Sequence, residues 1–275
     1  MPTIDRDGVR LWWEERGSGE PLLLVQGLGY PSGMWHRLVP TLARTHRVLL
    51  VDNRGVGRSG VPPEPATVET MAADALAVLD AAGERSAHVM GVSMGGVVVQ
   101  ELALTAPERV RSLVLGCTHP GGRASVFTDE ALQLLAGRQG MTPEQAAEES
   151  VPFVYAADTP RERVEEDLAV RRLFPTTPEG YVAQLTGAMA YAGSLERLPA
   201  LSGVPVLLLH GTADRLVPFE NSRTIAGALP RARLEPLDGA SHVFWTDRTE
   251  RTLELLTAFL AEHAASGPAT RSAEE

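Results

Sequence analysis

The segment Gly91-Val92-Ser93-Met94-Gly95-Gly96 joins an apolar run, HVMGV, to a helical pattern, VVVQELALT. A serine between two glycines at a strand-to-helix junction can serve as a nucleophile, because a sharp turn lifts its hydroxyl clear of the sheet. Gly91 and Gly95 suit such a bend, where a Cβ would clash. A helix beginning at Met94 also aims backbone N–H groups at developing negative charge. A serine hydroxyl is a weak nucleophile alone: it needs a base, and the base needs an orienting acid. The three are expected in the order serine, acid, histidine, each in a loop after a later strand. Asp214 in HGTADRLVP follows the run VPVLLLHG, and His242 in LDGASHVFW follows RARLEPL. Ser93, Asp214 and His242 are thus the candidate nucleophile, acid and base, a set suited to acyl transfer.

Other residues compete for these roles. Asp238 precedes the histidine loop and could brace it; His210 ends an apolar strand, as a satisfied core histidine would; His119 precedes the candidate acid and breaks the order. The oxyanion of a tetrahedral intermediate needs donors, each worth roughly 2.7–4 kcal/mol. The backbone N–H of Met94, next to the serine, is one candidate. The other is the N–H of Leu28 in the loop Gln26-Gly27-Leu28-Gly29-Tyr30. Asp52 and Arg54, in the turn Asp52-Asn53-Arg54-Gly55-Val56-Gly57-Arg58-Ser59, read as loop-holding residues.

The elements that must position these residues follow from hydrophobic patterning. Short Val- and Leu-rich runs begin at Pro21, His46, Ser86, Val110, Val204 and Arg231, each of the length expected of a strand buried on both faces. Helical patterns lie near Trp35–Arg44, Val68–Ala82, Met94–Thr105, Glu220–Leu229 and Arg248–His263. That alternation predicts an α/β fold with a mainly parallel sheet covered on both faces. VRLWWEE could add an antiparallel edge hairpin. From about Gly121 to Leu198 the strands stop and amphipathic stretches carry Phe127, Phe153, Tyr155, Phe174, Tyr181 and Tyr191. This segment is expected to form a helical cap over the carboxyl edge of the sheet, where ligands bind in open α/β folds. The expected division is 1–120 and 199–264 as core, 121–198 as cap, and 265–275 as a disordered tail. Phe127, Phe153, Tyr155, Phe244 and Trp245 are candidate pocket residues.

Composition narrows the chemistry. The formal charge is −10, which disfavours a grip on nucleic acid or on anionic membranes. The sequence contains no lysine, which removes Schiff-base chemistry and a P-loop lysine. With one cysteine, Cys117, no intrachain disulfide or Cys-rich zinc site can form, and its apolar flank reads as a buried thiol. No apolar stretch approaches the ~18 residues of a membrane span, and the first residues show no signal-peptide pattern. A cytoplasmic location is therefore expected.

Taken together, VQGLGYPSGMW, DNRGVGRSG, GVSMGG, HGTADRLVP and DGASHVFW, spread from about Pro21 to Phe259, resemble the α/β-hydrolase fold superfamily. The resemblance implies a mostly parallel eight-stranded sheet, a cap inserted after strand six and a site without cofactor or metal. It implies a serine hydrolase, most similar to small carboxylesterases and 3-oxoadipate enol-lactonases, acting on a small and largely apolar ester or lactone. It also supports Ser93, Asp214 and His242, with Leu28 and Met94 as oxyanion donors. One departure stands out: Gln26-Gly27 replaces the family's common His-Gly, so the side-chain bracing of that loop must differ. The same triad could instead serve C–C hydrolysis, acyl transfer or perhydrolysis, or the fold could bind a ligand without catalysis.

Overall fold

In the computed structural model, which describes residues 2–264, eight strands form one sheet in the order β1-β2-β4-β3-β5-β6-β7-β8. They are β1 (Thr3–Arg6), β2 (Val9–Arg16), β3 (Glu20–Val25), β4 (His46–Val51), β5 (Ala87–Val92), β6 (Val110–Gly116), β7 (Val206–Gly211) and β8 (Arg233–Leu237). The first two pairings along one side, β1 with β2 and β2 with β4, are antiparallel; parallel pairing begins with β4 and β3 and continues to β8. The apolar runs became strands because their successive residues serve opposite faces. Leu22, Leu24, Met90, Val92, Leu207 and Leu209 join one core cluster, while Leu23, Val25, Val89, Leu113, Val206 and Leu208 join the other. Pro236 is tolerated within β8 because that strand lies at the sheet edge.

The helices among the described residues are α1 (Val39–Leu42), α2 (Val68–Ala81), α3 (Met94–Thr105), α4 (Asp129–Gly137), α5 (Pro143–Val154), α6 (Arg161–Leu173), α7 (Pro178–Ala190), α8 (Glu220–Ala228), α9 (Phe244–Asp247) and α10 (Thr249–Glu262). One expectation needs correction. The helix anticipated over Trp35–Arg44 is a 3-10 turn, Ser32–Trp35, followed by the short α1. Pro40 lacks an N–H and cannot sit inside a continuous helix, so it stands in the first turn of a new one. α4 to α7 all fall between β6 and β7, where the cap is expected. No helix of the described residues is long and apolar enough to cross a membrane. The expected tail, 265–275, lies outside the described residues.

Strand register sets the site. Val25 pairs with Gly91, and Val92 with Gly116, so the loops after β3, β5 and β6 leave one sheet edge side by side. Gly211 pairs with Leu237, which sends the Asp214 and His242 loops from adjacent strand ends. Residues far apart in sequence meet there because parallel strands end on a common edge.

Candidate active site

Ser93 has φ 54 and ψ −127, a backbone conformation that is strained for a residue with a side chain. It occupies the N-cap position of α3, yet its side chain makes no capping hydrogen bond, so the hydroxyl is not consumed by the helix. The turn is held by its surroundings. A Cβ on Gly91 would lie 2.2 Å from the carbonyl oxygen of Gly95, and one on Gly95 would lie 2.5 Å from those of Val25 and Gln26. Thr118 donates from Oγ1 to the Ser93 carbonyl at 2.6 Å, fixing the residue from the β6 side.

His242 and Asp214 form a buried pair, with Nδ1 of the imidazole 2.7 Å from Oδ2 of the carboxylate. The other carboxylate oxygen, Oδ1, accepts the backbone N–H groups of Leu216 and Val217, each at 2.9 Å. Burial would push the Asp214 carboxyl up. The His242 charge and the hydrogen bonds from His210 and His242 outweigh it and hold Asp214 at about 2. Burial likewise opposes protonation of His242, but the Asp214 carboxylate overrides it, and the imidazole is raised well above its ordinary 6.5. Ser93 and His242 face one cavity of about 870 Å³. Among the described residues no direct hydrogen bond joins Ser93 Oγ to His242; such contacts commonly tighten only when substrate is bound.

The competing residues have other occupations. His210 is fully buried, with Nδ1 2.7 Å from Ser222 Oγ and Nε2 2.8 Å from the Val217 carbonyl; it also stands 3.3 Å from Asp214 Oδ2. His119 lines the cavity, and its Nδ1 accepts the Gly121 N–H at 3.2 Å. Burial, with the His242 charge second, lowers it to about 4, so it is neutral with its proton on Nε2. Asp238 is exposed and its side chain does not brace the histidine loop. Asp247 does: its Oδ2 accepts the Ser241 N–H at 2.7 Å and the Ala156 N–H at 3.2 Å. Cys117 is buried, and its thiol, the Asp214 carboxylate and a His242 ring nitrogen lie within 4.8 Å of one another. Burial pushes that thiol up, which keeps it neutral and a poor nucleophile. Asp52 ties the turn after β4 to Ser32 (N–H 2.8 Å, Oγ 2.6 Å) and Arg58 (Nε 2.8 Å), while Arg54 forms a bidentate pair with Asp74, 2.6 Å on each arm.

The loop Gln26–Tyr30 approaches Ser93 closely: a Cβ on Gly27 would lie 2.9 Å from the serine Cβ. Leu28 and Met94 both line the cavity, and neither backbone N–H has a partner among the described residues. Gln26, in place of the family's histidine, accepts the Gly27 N–H on its own Oε1 at 3.3 Å and leaves Nε2 buried and unpartnered on the cavity wall. The next hold on this loop comes from the cap. Gly29, at φ 70, donates its N–H to Gln184 Oε1 of α7 at 2.9 Å and accepts Thr176 Oγ1 at 2.9 Å. Gln184 Nε2 in turn donates to the Arg54 carbonyl at 2.9 Å, and the side chain is fully buried. Nothing in the local sequence marked Gln184 or Thr176, because both act on a loop roughly 150 positions away.

A first expected result concerns this clasp. Gln184→Leu leaves a buried N–H and a buried carbonyl unpaired, costing about 1–3 kcal/mol each at most. It also frees the loop, and kcat is expected to fall by about tenfold to a hundredfold, with KM moving less. Steady-state kinetics beside a denaturation curve checks this; unchanged kcat in a folded variant would show that the clasp does not position the loop.

The aromatic expectations divide. Phe127 and Trp245 line the cavity. Phe153, Tyr155 and Phe244 do not. Phe244 is fully buried edge-on to Trp245, Tyr155 donates its hydroxyl to Asp167 at 3.1 Å inside the core, and Phe153 packs beneath Arg215. Alternation and helical spacing show which residues turn inward, but not whether they meet core or cavity.

The family model described as the α/β hydrolase fold matches residues 20–248. The chain belongs to the α/β-hydrolase family. A protein of Azorhizobium caulinodans named as a carbamate hydrolase, RutD, is 34% identical over 271 residues, covering 95% of this chain and 99% of the relative. A thermophilic esterase from Thermogutta terrifontis, solved with malate bound, superposes with a TM-score of 0.84 at 28% identity, covering 96% of this hydrolase and 97% of that chain. The enol-lactonase from Burkholderia xenovorans LB400 gives 0.85 at 25% identity, covering 94% and 100%. This α/β-hydrolase thus shares its fold along nearly its whole length with an esterase and an enol-lactonase.

Proposed function

We propose that the protein hydrolyses a carboxylic ester or lactone through an acyl-enzyme on Ser93, with His242 as general base and Asp214 orienting it. The observation that carries this reading is the buried His242–Asp214 pair, 2.7 Å apart, facing the same cavity as a strained serine whose hydroxyl does no capping. Ser93 Oγ attacks the carbonyl carbon while its proton passes to His242 Nε2. The oxyanion is held by the N–H groups of Leu28 and Met94. Collapse breaks the bond to the leaving oxygen, which takes the proton from His242. Water, deprotonated by the same imidazole, then releases the acid and restores the serine. Asp214 stays ionised throughout, as a carboxyl held at about 2 must at neutral pH.

A serine-directed fluorophosphonate tests the reading without knowledge of the substrate. It is expected to label the wild type on Ser93 and to leave Ser93→Ala unlabelled. A folded wild type that does not react would remove the activated serine and with it the proposal.

A further inference from the structure

We propose that the cap end of the cavity is an anion subsite, built on Arg138 and Tyr30 with Arg171 behind them, and that the substrate carries a carboxylate in addition to its scissile bond. The ester or lactone part of this statement rests on the function proposed above; the anion subsite does not.

Two guanidinium groups are buried there without counter-charges. Arg138 is 9% exposed and Arg171 8%, and neither pairs with a carboxylate among the described residues. Arg138 lies over the Tyr181 ring, 4.9 Å from its centroid, with Nε buried and unpartnered. Arg171 lies 4.6 Å over the Tyr30 ring and donates to Ser150 Oγ at 3.2 Å, whose own proton goes to the Ala147 carbonyl at 2.7 Å. The Tyr30 hydroxyl is also buried without a partner. Arg138, Tyr30 and Ser150 all line the cavity that holds Ser93 and His242. Arg138 and Arg171 further share a side cavity of about 40 Å³.

A buried cation without a partner is costly, and two of them near each other also repel. In a chain with a formal charge of −10, whose other buried Arg54 is paired with Asp74 at 2.6 Å, leaving these two unpaired calls for an anion from outside. A guanidinium edge and a phenol both donate to one acceptor-only group. Planar bidentate donation by a guanidinium suits a carboxylate. The rest of the cavity wall is mainly apolar (Val92, Leu134, Leu185, Trp245), which fits a hydrocarbon spacer between the two ends.

The test uses monomethyl esters of succinic, glutaric and adipic acids against the neutral dimethyl esters of the same acids. Binding is measured by calorimetry on Ser93→Ala, and turnover on the wild type by titration of released acid. At the best chain length the monoester is expected to bind Ser93→Ala about tenfold tighter or more than the diester. Adding Arg138→Gln should erase that preference and Arg138→Lys should keep part of it. Equal affinities at every length would overturn the subsite, as would a preference that survives Arg138→Gln. Should Arg138→Gln fail to fold, the ligand comparison on Ser93→Ala still decides. Anion-selective binding without turnover in the wild type would leave the subsite standing and remove the hydrolase reading. Equal binding of both ligands with turnover of both would do the reverse.

Discussion

Ser93→Ala is expected to lower ester turnover by roughly 10⁶-fold, leaving about 10³–10⁴ over the reaction in water from binding and oxyanion contacts alone. The measurement is hydrolysis of p-nitrophenyl esters of increasing acyl length by wild type and variant. The effect is large because, in the proposed mechanism, the hydroxyl forms the new covalent bond and no neighbour can replace it. Cys117 is buried and held neutral, and His119 is lowered to about 4 and engaged with the Gly121 N–H. Stability should change little, since the hydroxyl caps nothing and alanine inherits the same φ of 54. A variant keeping activity within about tenfold of the wild type would place the chemistry elsewhere.

Asp214→Asn is expected to cost roughly 10⁴ in kcat, by leaving the imidazole in the wrong tautomer. The carboxylate accepts His242 Nδ1–H on one oxygen and the Leu216 and Val217 N–H groups on the other. An amide would satisfy the two backbone donors with its oxygen and turn its NH₂ towards the imidazole, so Nδ1 would have to accept and the proton would move to Nε2. The base would then face the serine already protonated.

The same variant has a second signature, in pH. In the wild type kcat/KM is expected to rise with pH as His242 loses its proton, with a midpoint above 6.5, because Asp214 outweighs burial. Without that charge the largest influence opposing burial is gone, and the limb should move to lower pH. The stability profile gives a second limb in the same direction, at lower pH. Asp214 is held at about 2 against an ordinary 3.8, so its ionised form contributes stability fully above the ordinary value, and that contribution is lost as pH falls through about 2. Acid unfolding of Asp214→Asn should lack this loss. A residual rate above about a tenth of wild type, with an unmoved limb, would show that Asp214 does not orient His242.

The centre of the sheet was legible from the chain because β3, β5 and β7 are buried on both faces, which leaves mostly apolar residues in their runs. The serine turn was legible because two backbone contacts near 2.5 Å or closer exclude any Cβ, and glycine records that exclusion in the sequence. Asp214 and His242 were legible because each directly follows a strand. What failed to show was everything that reaches across from the cap. Gln184, Thr176 and Arg138 belong to helical or loop stretches where Gln, Thr and Arg are ordinary surface residues, and only the folded arrangement buries them or aims them inward. Phe153, Tyr155 and Phe244 went the other way, since an apolar side chain fits core and pocket equally well by sequence. Asp247, not Asp238, braces the histidine loop, and its sequence neighbours do not mark it, because they say little about which backbone donors a carboxylate will meet.

The hold of Thr176 and Gln184 on Gly29 has a consequence for how such a protein can diversify. Inserted segments between two strands are natural units of exchange, since swapping one leaves the sheet intact. Here the unit that shapes the substrate chamber also carries the fasteners of the loop beside the nucleophile. A transplanted insert lacking a hydroxyl and an amide at those two places would bring new selectivity at the expense of turnover. Lineages and engineers alike would have to inherit selectivity and catalytic competence as one piece, or rebuild the fastening from the core side first.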